Sequence, residues 1–210
     1  KENDPAGDDT IAVLKQCVDC CVDFEIPVLV CHAFIGFLDH TPTEAGLSRL
    51  APLMEYGIQK KVKIAFENTE GEEYLAAIMN RFADCESLGF CWDTGHELCY
   101  NRAKDMMALY GDKLVSTHLN DNFGVTGEEI TWLDDSHVLP FDGVADWNGI
   151  ADRLLKVGFT NPLTFELTRQ NKPERHTHDG YAKWSVEEFF ENAHERAVRF
   201  AALMEARAAK

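Results

Sequence analysis

The chain has 210 residues, 45% of them apolar, with only 14 glycines and 7 prolines, a composition that fits one domain with a sizeable core and excludes a disordered or fibrous chain. Its formal net charge of −16 repels nucleic acid and anionic membrane, and the densest basic stretch, Lys60, Lys61 and Lys63, is too short to offset that field. No run approaches the roughly 18 apolar residues of a membrane span and no charged-then-apolar leader opens the chain. Cys17, Cys20 and Cys21 fall at helical spacing, so the seven cysteines read as reduced thiols of a soluble, cytoplasmic protein.

In chain order, Ile11, Leu14, Val18, Cys21 and Val22 form a helical stripe behind Thr10 as N-cap. IPVLVCH, residues 26–32, is a continuous apolar run of strand length, the pattern of a strand covered on both faces. Pro42-Thr43-Glu44 opens a helix through Leu47, Leu50, Ala51 and Met54 that stops at Gly57, and the strand VKIAFEN, 62–68, follows. A helix over 72–83 precedes the strand GFCWD, 89–93, and a helix over 102–110 precedes KLVSTHLND, 113–121. A long loop then runs to about Asp146. After it come a helix ending at Gly158, the strand PLTFELT, 162–168, and an amphipathic helix from Ser185 to Arg207. Five strand-then-helix units without a linker predict a single α/β domain over 1–210 with a parallel sheet.

Each predicted strand is apolar until its C-terminal end, where it delivers one polar residue: His32, Glu67, Asp93, His118 and Glu166. In parallel α/β folds those ends share one side of the sheet, where sites are built. Three carboxylates converging without a cation would repel one another, and leaving them unpaired in the interior is costly. A divalent cation held by Glu67, Asp93, His118 and Glu166 removes that conflict. Three carboxylates and one imidazole make a hard, oxygen-rich set suited to Mn, Mg or Co rather than to a thiolate-type zinc. The net negative site suits a neutral polyol better than a bare phosphate.

These segments resemble the xylose-isomerase-like TIM barrels, a group of sugar isomerases and epimerases that also includes the AP endonucleases with three zinc ions. IAFEN, 64–68, is similar to the family's Glu-Asn strand end, WDTGH, 92–96, to its Asp-x-x-His element, and THLND, 117–121, to its His strand. DDSHVLPFDGVADW, 134–147, resembles its Asp-x-His loop with the following Pro-Gly-x-Gly and Trp, and TFEL, 164–167, its last strand. Two departures stand out: Pro140-Phe141-Asp142-Gly143 replaces Pro-Gly-x-Gly, and the arginine that several epimerases place after the metal His is absent, with Arg169 as a substitute.

The resemblance implies a (β/α)8 barrel. An eight-stranded barrel typically takes about 250 residues, so the five strands read here correspond to the last five βα units, with three further units expected ahead of Lys1. It also implies a metal-dependent sugar or sugar phosphate isomerase or epimerase. Proton abstraction next to a carbonyl would proceed through a metal-stabilised enediolate, with Glu67 and Glu166 as the acid/base pair as well as metal ligands. His96, with His32 and His137, would contact substrate; Asn68, Asp121 and Asp135 would support the ligands, Asp121 by orienting His118. Expected partners are one divalent cation and a small sugar, without nucleic acid or membrane, and family members often pair as homodimers or higher oligomers. The alternatives are an AP-endonuclease-like zinc phosphodiesterase, to which His32, His96, Asp135 and His137 would give extra ligands, and dehydratase or lyase chemistry on the same barrel. Histidines 176 and 178 read as surface-loop residues.

Overall fold

The computed structural model describes residues 5–37 and 41–209, and its framework is a parallel sheet ordered β1 (Val28–His32), β2 (Lys63–Glu67), β3 (Leu88–Asp93), β4 (Leu114–His118). The chain divides into two units, Lys1–Cys91 with Lys113–Ser116, and Trp92–Asp112 with Thr117–Lys210. Strands β3 and β4 therefore start in the first unit and end in the second. Among the described residues no helix is long and apolar enough to cross a membrane.

In the first unit the register runs Val28↔Lys63 to His32↔Glu67 and Ile64↔Leu88 to Glu67↔Cys91. Ile64 to Glu67 and the whole of β3 are buried, as continuous apolar runs predict. The equally apolar β1 is only half-buried through Val30, because it pairs on one side alone. Gly89 lets β4 come close: a Cβ there would lie 2.4 Å from the Val115 side chain.

Three helices flank these strands in sequence, α1 (Pro5–Asp23), α2 (Glu44–Lys60) and α3 (Glu72–Arg81). Helix α1 begins five residues before Thr10, with Asp8 in its first turn complementing the helix dipole. The Thr10 hydroxyl donates back to the Ala6 carbonyl at 2.8 Å, so Thr10 is an interior residue and not the N-cap its type suggests. Helix α2 does start behind Thr43, whose hydroxyl accepts from the Gly46 N–H at 3.1 Å. It does not stop at Gly57 but continues to Lys60, and Lys61 (φ 59°) caps it. Gly57 is there for closeness, since a Cβ would stand 2.9 Å from the Val62 carbonyl oxygen.

The second unit holds α4 (Thr94–Leu98), α5 (Met106–Tyr110), α6 (Trp147–Lys156) and α7 (Val186–Ala208). Val138, Leu139, Tyr181 and Phe189 form a buried cluster backed by Leu167 and Trp184. Ser185 and Glu188 make a reciprocal capping box at the start of α7, with bonds of 2.7 and 3.1 Å. The helix predicted over 102–110 is shorter, because Arg102 (φ 51°) and Ala103 (φ 58°) are left-handed and Asp105 caps α5. A buried Glu97 accepts from the Trp92 indole, the Met106 N–H and Arg153 at 2.9, 3.1 and 2.7 Å, joining the end of β3 to α5 and α6.

The fifth predicted strand, 162–168, is reduced to one parallel bridge between Leu119 and Phe165. The alternation is that of a strand, with Leu163, Phe165 and Leu167 more buried than Thr164 and Glu166. The ladder is short because the Thr117 hydroxyl captures the Thr164 N–H at 3.1 Å, where a second backbone pairing would otherwise form. Farther along, the Thr168 N–H donates to the His137 carbonyl at 3.0 Å.

Candidate functional site

In the first unit, parallel register sets His32 opposite Glu67, and His32 Nε2 lies 3.2 Å from Glu67 Oε2. The Glu67 side chain is 1% exposed and that of His32 44% exposed, so a buried carboxylate is faced by an accessible imidazole. Asn68 follows, fully buried.

In the second unit Asp93 ends β3 and N-caps α4: its Oδ1 accepts from the His96 N–H at 2.6 Å. The five-residue helix carries His96 inward. His96 Nδ1 lies 3.8 Å from Asp93 Oδ1, and its Nε2 lies 3.4 Å from Asp135 Oδ1. The same Asp135 oxygen stands 2.7 Å from His137 Nε2, and the two imidazoles meet edge to face at 5.3 Å. His137 has φ 49°, a left-handed backbone that histidine adopts more readily than most residues. Its Nδ1 lies 3.1 Å from the Glu166 carbonyl oxygen.

Burial works against charge on Asp135, yet the contacts to His137 and His96 outweigh it and hold the carboxyl well below the usual carboxylate range. Burial opposes charge on His137 as well, and the Asp135 bond outweighs it, lifting the imidazole to about 9. At neutral pH this is an imidazolium–carboxylate pair. Lys172, a residue sequence reading passed over, adds a second cation: its Nζ is 3.2 Å from Asp135 Oδ2 and donates to the Trp132 carbonyl at 2.5 Å.

His118 ends β4 with Nδ1 2.9 Å from Glu166 Oε2. Asp93, His118 and Glu166 each offer a ligand atom within 4.8 Å of the others, and so, separately, do Asp93, His96 and His137. Two carboxylates and an imidazole at that separation, partly buried, have the donor chemistry of a hard divalent cation site.

Two expectations are corrected. Asp121 does not orient His118. Its oxygens accept from the N–H groups of Asn122, Phe141 and Ala145 and from the Trp147 indole at 2.8–3.0 Å, so it fastens the loop before α6. His178 is not a surface residue but is 1% exposed, with Nε2 3.1 Å from the Thr168 hydroxyl and its ring against Tyr181. His176 is exposed, as expected.

Phe141, at the position of the first family glycine, takes φ 73°, so the backbone bends as a glycine would allow although the residue is aromatic. Gly143 keeps its place because a Cβ would come within 2.3 Å of Asp121 Oδ1. The residues missed were Lys172, Thr94 and Asn120; the Asp-Thr-Gly-His order, an N-cap residue before a short helix, was the available signal for Thr94.

The family model for the xylose isomerase-like TIM barrel matches residues 2–191. The chain belongs to this family. A curated relative, the uncharacterized protein y4fM of Sinorhizobium fredii, is 29% identical over 170 residues, covering 74% of this chain and 52% of that protein. The chain thus spans about half the length of the curated relative it matches. A xylose isomerase domain protein from Planctomyces limnophilus superposes with a TM-score of 0.71 at 16% identity, covering 95% of this chain and 67% of that one. D-allulose 3-epimerase from Methylomonas sp. superposes at 0.66 and 15% identity, covering 94% and 72% of the two chains. D-psicose 3-epimerase from Clostridium cellulolyticum H10 does so at 0.66 and 12%, covering 93% and 71%. At these identities the solved structures establish a shared fold.

Proposed function

We propose that the protein is a divalent-metal-dependent sugar isomerase or epimerase that moves a proton on a carbon next to a carbonyl. The observation that carries the reading is the convergence of Asp93, His118 and Glu166, with ligand atoms within 4.8 Å of one another, in a chain of the xylose isomerase-like family. Glu67 completes the set in this reading: it pairs in register with Cys91, and β3 runs on from there to Asp93. Several proteins of like fold are 3-epimerases of small ketoses, which suggests a sugar or sugar phosphate as substrate.

A bound Mn, Mg or Co ion would polarise the substrate carbonyl and stabilise the negative charge that develops on its oxygen. The chain's residues do the rest. Glu67 and Glu166, which would hold the metal together with Asp93 and His118, are the pair that takes up and returns the proton. His137, with its ring nitrogens engaged by Asp135 and the Glu166 carbonyl, lines the substrate, and His96 and His32 hold hydroxyl groups. Asp135 keeps His137 charged, and Lys172 partly offsets the acidity of the site. The free cysteines support a cytoplasmic setting for this chemistry.

A second reading, a zinc phosphodiesterase of the AP endonuclease type, draws on the proximity of Asp93, His96 and His137. The Lys172 ammonium beside Asp135 disfavours it, because a cation is already supplied at that carboxylate. Metal content separates the two. About one Mn, Mg or Co per chain supports the isomerase, near three zinc supports the phosphodiesterase, and no bound metal in the folded protein contradicts both.

A further inference from the structure

We propose that Asn120 is a positioning residue for Asp93: its side-chain amide fixes the Asp93 carboxylate in the orientation that presents it to a divalent cation. The inference rests on the metal-site reading above and adds a residue to it.

The geometry begins with the two oxygens of Asp93. Oδ1 is committed to the His96 N–H at 2.6 Å, and Oδ2 accepts from Asn120 Nδ2 at 2.9 Å. Two donors on different segments, one per oxygen, prevent the carboxylate from turning about its Cβ–Cγ bond. A carboxylate oxygen has two lone pairs, so accepting a hydrogen bond does not bar it from binding a cation. Removing the Asn120 donor takes away a bond that aims Oδ2.

Asn120 is itself rigidly held. Its N–H donates to Thr94 Oγ1 at 3.0 Å, and its carbonyl accepts from the same hydroxyl at 2.7 Å, so the residues following two ligand-bearing strands are bonded back to back. The second amide hydrogen reaches the His118 carbonyl at 3.5 Å. Asn120 Oδ1 is buried without a hydrogen-bond donor, pressed where a Cβ on Gly95 would come within 1.9 Å. A flipped amide would set that oxygen against Asp93 Oδ2, so the orientation is dictated by the carboxylate.

Asp121 was expected to orient His118; its neighbour Asn120 instead holds a different ligand, Asp93. Substituting a partner that orients a metal ligand typically weakens metal binding about 10- to 100-fold.

The test compares variants of the purified protein by Mn2+ titration calorimetry and by the visible spectrum of the Co2+-loaded form. Asn120→Ala, with Asn120→Ser as a second variant should the first not fold, is expected to bind Mn2+ about 10- to 100-fold more weakly and to change the cobalt spectrum. Thr94→Val breaks the brace but leaves the amide on Asp93; it is expected to lower the melting temperature and leave the cobalt spectrum as in the wild type. If Asn120→Ser matches the wild type in both readouts while Asp93→Ala loses Mn2+, the positioning role is overturned and the metal site stands. An equal spectral change in Thr94→Val would make the effect one of backbone packing and would also overturn it. A folded wild-type protein that binds neither ion saturably overturns the metal site and this inference together.

Discussion

The indole N–H of Trp147 donates to the buried carboxylate of Asp121 at 2.8 Å, across 26 positions of sequence. That bond, with three backbone N–H groups on the same carboxylate, ties the loop over 140–147 to the segment that follows β4. Asp121→Ala leaves four donors without their acceptor, one of them a buried indole. We expect a loss of about 3–5 kcal/mol, from several hydrogen bonds to a charged group and the buried donors left unsatisfied, measured by chemical denaturation. A loss below ~1 kcal/mol, the usual scale of one neutral hydrogen bond, would show that the loop is held by something else.

Phe141 offers a test of backbone strain that is separate from its packing. The ring lies 5.0 Å from Trp147 and under the Arg199 guanidinium at 3.8 Å, so any small residue loses those contacts. Comparing Phe141→Gly with Phe141→Ala cancels that loss. Because φ is 73°, the glycine variant should be more stable than the alanine variant by ~1 kcal/mol, the reverse of their order in a helix. Equal stability would mean that the loop relaxes away from the left-handed conformation.

Acid should weaken the protein through His178. Burial is the main cause that lowers its affinity for protons below that of an ordinary histidine, with His137 and Lys172 adding to it. A depressed folded-state value means that the stabilisation is present above the unfolded value of about 6.5 and is lost as pH falls through the folded one. The denaturation midpoint should therefore fall between pH 7.5 and 5.0 more steeply in the wild type than in His178→Gln. Parallel pH profiles would place the acid sensitivity elsewhere.

The thiols divide by exposure. Cys20 is exposed, whereas Cys21, Cys31, Cys91 and Cys99 are buried; burial, followed by the nearby Cys17 and Cys21, pushes the Cys31 thiol up to about 12. Iodoacetamide at pH 8 should label Cys20 rapidly and reach the four buried thiols only in denaturant. Mass spectrometry that found Cys31 or Cys91 alkylated in the native protein would contradict the packing of the first unit.

Much of the scaffold was legible in the sequence because it depends on local pattern. The buried runs of β2 and β3, the Thr43 and Ser185 caps and the residues at the strand ends follow from apolar periodicity and side-chain type. What escaped depends on distant partners or on segments too short for a period. Helix α4 has five residues, fewer than two turns, so no apolar stripe could announce it. Asp121 reads as a support for the neighbouring His118, yet its bonds reach residues up to 26 positions away. The strand over 162–168 has the right alternation, but the Thr117 hydroxyl takes a backbone donor that a ladder would have used. The pairing of Lys172 with Asp135 spans 37 residues and has no local signature at all.

The proposed role of Glu166 is to move a proton on a metal-held sugar. It is tested most directly by incubating the Mn-loaded protein with ketoses, ketose phosphates and inosose in deuterated water and following carbon-bound deuterium by NMR. Exchange next to the carbonyl of one substrate, abolished in Glu166→Gln while Mn2+ remains bound, is the predicted result. Exchange that proceeds unchanged in Glu166→Gln, or that fails for every member of the series, would contradict the account.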